Sequence, residues 1–282
     1  MPEAMEHSRL PRNFHRTFKP ERQYLNALLR YAASGQEGDY QAIAAATGIP
    51  TGTSTGKVPA ILDYCRGMGM VRLVGPDRSS IKRLDLTPFG RIVLLEDPYL
   101  KTTVSQWIAH FNLCAPLTGA DVWYHTFHAG AQGLGMTFSR TALEEHLCAT
   151  YGIEKTGLIG PLVGTYEDEA AFKLCGVLSD ADGIIVRKPA PIADEFGLAY
   201  GAWILQLIAE HFPKQRQVPI TTLDAVAGWR TIPGWDVNSL HRVLSLIERK
   251  GVLEVDRHME PWLLLPKGAP DDTWKRIYSD ML

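Results

Sequence analysis

The sequence predicts a mainly α-helical protein with small β-hairpins, in which two winged-helix-like modules flank a helical middle region. Two observations carry this. Apolar residues recur at helical spacing between Tyr24 and Cys65, and again between Tyr200 and Ile247. Each of these stretches then runs into two short apolar segments around a turn. Three helices and a hairpin within about seventy residues suit a small nucleic-acid reader whose third helix enters a groove. The same arrangement also serves as a plain protein–protein module.

The elements follow in order. Tyr24, Leu25, Leu28, Leu29 and Ala32 bury one face of a first helix. Asp39 caps a second helix that buries Tyr40, Ile43 and Ala44, and Gly48 turns the chain. A third helix starts near Lys57, with Pro59 in its first turn and Val58, Ile61, Leu62 and Cys65 inward. Met70–Val74 and Ser80–Leu86 read as strands joined at Gly75-Pro76-Asp77. Thr87-Pro88 opens a short helix that Asp97-Pro98 breaks. The middle region then carries helices around Trp107–Phe111, Asp121–His128 and Ser139–Tyr151, with a helix expected over Glu167–Gly176 and a strand at Ile184–Arg187. In the last stretch Tyr200–His211 is one helix, Thr221 caps the next, and Asp236 caps a third that ends at Gly251. Val252–Val255 and Trp262–Leu265 make its hairpin. The expected divisions are 1–96 (a basic arm and the first module), 97–195 (the helical middle) and 196–282 (the second module).

Net charge is −2 over 282 residues, but it is unevenly spread. Residues 1–96 hold 13 Lys and Arg against 9 Asp and Glu, residues 97–195 hold 6 against 12, and the rest balance at 10 each. Phosphate is therefore drawn to the first third, though not strongly. No apolar run approaches the roughly 18 residues of a membrane span. The first residues lack the apolar core of a secretory signal. The four cysteines have no metal-ligand spacing and read as free thiols in a reducing cytoplasm.

The candidate DNA-binding residues are Arg16, Lys19 and Arg22 of the arm, Thr53, Ser54, Thr55 and Lys57 before the third helix, and Arg72, Arg78, Lys82 and Arg83 of the hairpin. Hydroxyls, free N–H groups and one lysine at a helix start form a phosphate seat. The run Thr51–Lys57 is not a nucleotide-binding P-loop: three residues, not four, separate Gly52 from Gly56, and Val58 stands where Ser or Thr would meet magnesium. Against these readings, the arm's aromatics could pin it to the domain, and the hairpin cations could be the solvated side of strands. In the last module Asn238, His241, Arg242, Ser245 and Arg249 share a polar helix face, while Trp229 and Trp235 suggest a protein interface. His125 and His128, three apart and with His110 upstream, could share a metal, but packed histidines in an aromatic core are the simpler reading. Glu167, Asp168 and Glu169 diverge on a helix and read as an acidic face. No catalytic centre is identified.

The runs Phe14-His15-Arg16-Thr17-Phe18, Arg22, Tyr24-Leu25-Asn26, Thr47-Gly48-Ile49-Pro50 with Gly52 and Lys57, Leu86-Thr87-Pro88-Phe89-Gly90, Asp97-Pro98-Tyr99-Leu100, and Trp107 with His110-Phe111-Asn112-Leu113, in this order, resemble the bacterial domain-of-unknown-function family 4007. That resemblance is clearest before about residue 130. It implies an operon shared with a cysteine desulfurase, a sulfurtransferase and an ATPase, which places phosphorothioate sulfur in DNA and serves antiphage defence. It further implies the B component of a single-strand system, which binds DNA and nicks it for sulfur insertion. A nicking endonuclease would call on a divalent metal such as Mg²⁺ or Mn²⁺. No motif assigns catalytic residues; His15, Arg16, Arg22 and Tyr24 are candidates, set against a role in locking the arm. The alternatives are a non-catalytic adaptor that holds the sulfurtransferase and ATPase, and a winged-helix transcriptional regulator.

Overall fold

The computed structural model describes residues 9–52, 56–76, 78–155 and 157–281. Among the described residues the chain is about half helical, with three small antiparallel sheets of three strands each. The first stretch runs α1 (Arg22–Ala33), β1 (Glu37–Gly38), α2 (Tyr40–Thr47), α3 (Lys57–Gly67), β2 (Val71–Val74) and β3 (Lys82–Leu86). Its sheet order is β1-β3-β2. Two helices follow, α4 (Pro88–Glu96) and α5 (Thr103–Leu113).

The middle stretch is not simply helical. It contains α6 (Asp121–Phe127), α7 (Ala131–Leu134), β4 (Thr137–Ser139), α8 (Arg140–Tyr151), α9 (Ile159–Glu167), β5 (Leu178–Ala181) and β6 (Ile184–Arg187), with sheet order β4-β6-β5. The helix expected over Glu167–Gly176 is instead the end of α9, a turn, and a 3-10 turn at Lys173–Cys175. The last stretch runs α10 (Gly197–His211), β7 (Val218–Pro219), α11 (Ile220–Ala227), α12 (Val237–Arg249), β8 (Leu253–Asp256) and β9 (Leu263–Pro266), in sheet order β7-β9-β8, and α13 (Pro270–Trp274) packs on α10. One element order, helix–strand–helix–helix–strand–strand, thus occurs three times, with α7 as an insert in the second. Each time the last strand lies between the other two.

Local chemistry explains the boundaries. Asp39, Thr87, Ser139 and Asp236 each accept an N–H of the following first turn. Gly48, Gly152 and Gly228 end helices in the left-handed conformation. Thr221 does not cap α11, which starts one residue earlier behind Pro219.

The repeats share one continuous apolar core. Its centre is α5, buried on nearly every side, as suits a helix that other helices surround. Phe111 of α5 lies 4.7 Å from Trp203 of α10, ring centre to ring centre, and His110 of α5 lies 5.3 Å from Tyr166 of α9. Among the described residues, no helix is long and apolar enough to cross a membrane.

Candidate nucleic-acid interface

From Arg9 onward, where the described residues begin, the arm is held against the protein. Leu10 pairs by backbone with Gly119 and Asp121, and Arg9 reaches Asp121 at 2.9 Å and the Pro116 carbonyl at 2.6 Å. Phe14 and His15 are buried against Tyr64 and Trp123. Burial pushes the His15 imidazole down to about 4, with a smaller opposing effect from the Arg12 backbone. Lys19 is paired with Asp168, whose carboxyl this contact holds below its usual range. Arg22 donates to the Glu169 carbonyl at 2.6 Å. Arg16 stays exposed, in a turn where it and Thr17 take positive φ.

At the start of α3, Thr53, Ser54 and Thr55 lie outside the described residues. Lys57 is paired with Glu21 and lies 4.3 Å from the Tyr24 ring centre, its side chain only 14% exposed. A phosphate at this ammonium would have to compete with the Glu21 carboxylate.

The β2–β3 hairpin sorts its cations by pleat. Lys82 shares the inward phase of Leu84 and Leu86 and is buried, near the Tyr40 ring. Arg83 points the other way and is exposed. Arg72, 67% exposed, faces Asp85 at 3.3 Å. Arg78 is exposed in the turn beside Asp77, which lies outside the described residues. The structure therefore leaves Arg16 of the arm and Arg72, Arg78 and Arg83 of the first repeat on the surface.

The other singled-out groups resolve plainly. Trp229 and Trp235 are buried, donating to the carbonyls of Ile220 (3.0 Å) and Ala190 (3.1 Å), so neither offers an exposed interface. His110 is buried on the Tyr166 hydroxyl at 2.6 Å, and burial, helped by Arg187, holds it well below the usual histidine range. His125 lies 3.6 Å from Asp121. Glu167 accepts the Asp180 N–H at 2.7 Å, Asp168 holds Lys19, and Glu169 faces Lys173 at 3.1 Å. Among the described residues, no three His, Cys, Asp or Glu side chains come together as metal ligands. The polar face of α12 is exposed at Asn238, His241, Arg242, Ser245 and Arg249.

Sequence reasoning missed Glu21 as the partner of Lys57, a pair separated by 36 positions. It also missed Arg187, a buried cation in the Cys114–Tyr166 neighbourhood. Neither has a local signature.

The family described as "Protein of unknown function (DUF4007)" matches residues 14–157, just over half of the 282. No curated protein matches. Two solved structures are similar over 98% of this chain. One is a magnesium ion-bound SspB crystal structure, with a TM-score of 0.65, 17% identity and 88% of that chain covered. The other is an SspB crystal structure, with a TM-score of 0.64, 16% identity and 89% covered. At these identities the likeness is one of fold.

Proposed function

This chain belongs to the DUF4007 family, and on that premise we propose that it is the DNA-binding component of a bacterial DNA phosphorothioate modification and antiphage defence system. The observation that carries the reading is fold likeness to SspB, the B component of such a system, along 98% of the chain. The exposed arginines of the first repeat add support. The first and last repeats act as the two winged-helix-like modules, and Arg16, Arg72, Arg78 and Arg83 meet phosphates. Lys19, Arg22 and Lys57 hold the arm and the start of α3, and Lys82 supports the hairpin from within. The partners are DNA and the cysteine desulfurase, sulfurtransferase and ATPase of the same operon.

Nicking is the added activity this reading allows. One SspB structure is described as magnesium-bound. Among the described residues, no three His, Cys, Asp or Glu side chains gather into a metal centre.

The test is incubation with supercoiled plasmid in Mg²⁺, Mn²⁺ or EDTA, read on a gel beside a mobility shift. A shift is the expected result. Open circles that form with metal and vanish in EDTA would add nicking. Absence of both would move the weight to the adaptor.

A further inference from the structure

The three repeats treat their third helices differently. In α3 no residue is exposed; Tyr64 packs on Phe14 and Trp123, and its hydroxyl donates to the Phe18 carbonyl. In α9 only Gly160 is exposed, and the Tyr166 hydroxyl accepts from Trp123 at 2.9 Å. Both helices are consumed by contacts with the arm and the central helices. Neither can offer a face to a groove.

In contrast, α12 divides cleanly. Leu240, Val243, Leu244, Leu246 and Ile247 are buried. Its opposite side presents Asn238, His241, Arg242, Ser245 and Arg249 to solvent. Between that side and the Ile192–Asp194 segment runs an open groove of about 380 Å³. His241 is braced edge-on by Trp262, 4.6 Å between ring centres. Asp194 at the groove wall is paired with Lys250 and lies 3.7 Å from Arg249. Arg242 is exposed; the Ser239 N–H and, to a lesser degree, the Arg242 charge hold the Asp236 carboxyl below its usual range. Being exposed, the Arg242 guanidinium can meet a second anion as well.

We propose that α12, in the last repeat, is the helix that enters the DNA major groove. Asn238 and His241, near its start, face base edges, and Arg242 and Arg249 take phosphates. A major groove admits one helix, and the first turns of a recognition helix are the ones that reach the bases. The assignment rests on the DNA-binding reading above and locates it on a different repeat from the basic first third.

The test uses full-length protein and a labelled duplex oligonucleotide, with affinity measured across a salt series. All the variants change exposed side chains, and an unchanged melting temperature verifies their fold. The double variant Arg242→Glu/Arg249→Glu should weaken binding by about tenfold or more, and Arg242→Ala should reduce the salt slope by about 1. Asn238→Ala should change the ranking of duplex sequences and leave the slope alone. A double variant that binds like wild type overturns the assignment of α12 and leaves the DNA-binding reading standing. Wild-type protein that binds no duplex overturns both. A double variant that keeps DNA but loses an acidic operon partner overturns the assignment in favour of a protein-binding helix.

Discussion

The ammonium of Lys57 is paired with the Glu21 carboxylate, and so the first residue of α3 is tied to the residue that immediately precedes α1. The pair is shielded by the Tyr24 and Phe18 rings, 4.3 and 5.7 Å from the nitrogen. A cation held this way is first a structural group and only second a phosphate ligand.

Lys57→Glu is accordingly expected to cost stability. Two carboxylates would meet at a site whose side chains are 14% and 24% exposed. A loss of about 1–3 kcal/mol is expected by denaturant titration. A second change, Glu21→Gln, should recover part of it. Any fall in DNA retention by Lys57→Glu must then be read beside the stability loss. No change in stability would mean that the pair contributes nothing.

Stability should fall on mild acidification. The His15 ring nitrogen Nδ1 accepts the Thr17 N–H at 3.1 Å, and its Nε2 is buried without a partner. Burial lowers its folded-state value to about 4, against an unfolded value near 6.5. Between these two values the unfolded chain binds the extra proton. Stability contributed by neutral His15 is therefore complete above about 6.5 and is lost as pH falls towards 4, by about 3 kcal/mol at most. His110 acts in the same direction. Denaturant midpoints across this range should show a slope that shrinks in His15→Asn. An unaltered slope in that variant would remove His15 as its source.

Gly90→Ala should destabilise, although α-helix propensity alone predicts a gain of about 1 kcal/mol. A Cβ at Gly90 would lie 1.9 Å from the Met70 carbonyl oxygen, which also accepts from Thr87. Backbone must shift to admit it, at a cost of about 3 kcal/mol. Gly133→Ala, in α7 with nothing within 4 Å, is the control and should be neutral or better. Equal melting temperatures for the two variants would contradict the close approach.

Much of this was legible because it is local. The helix ends at Asp39, Thr87, Ser139 and Asp236 are set by a side-chain oxygen within three residues of the N–H it accepts. The inward stripe Val58, Ile61, Leu62 and Cys65 is a matter of helical period. The two-residue strands β1 and β7 and the three-residue β4 are too short to alternate and have no sequence signature, so in the middle region only the strand at Ile184–Arg187 is legible. Lys82, expected on DNA or on the solvated side of its strand, is instead buried; its phase with Leu84 and Leu86 is the signal that marks it as inward. The Lys57–Glu21 pair and the burial of α3 depend on chain segments that meet only in the folded protein.

The hairpin of the first repeat gives the sharpest contrast between binding and structure. Arg78 and Arg83 are exposed, whereas Lys82, between them in sequence, is buried near Tyr40. If the exposed pair meets phosphates, Arg78→Ala and Arg83→Ala should each lower the salt slope of DNA binding by about 0.9 and leave the melting temperature in place. Lys82→Ala should do the reverse, lowering stability by about 1 kcal/mol or more, because a long apolar stem leaves the inner face of β3. Salt titrations of binding and thermal melts on the same three proteins decide it. Equal slopes for wild type and both arginine variants would take the hairpin out of the DNA interface and leave α12 to carry it.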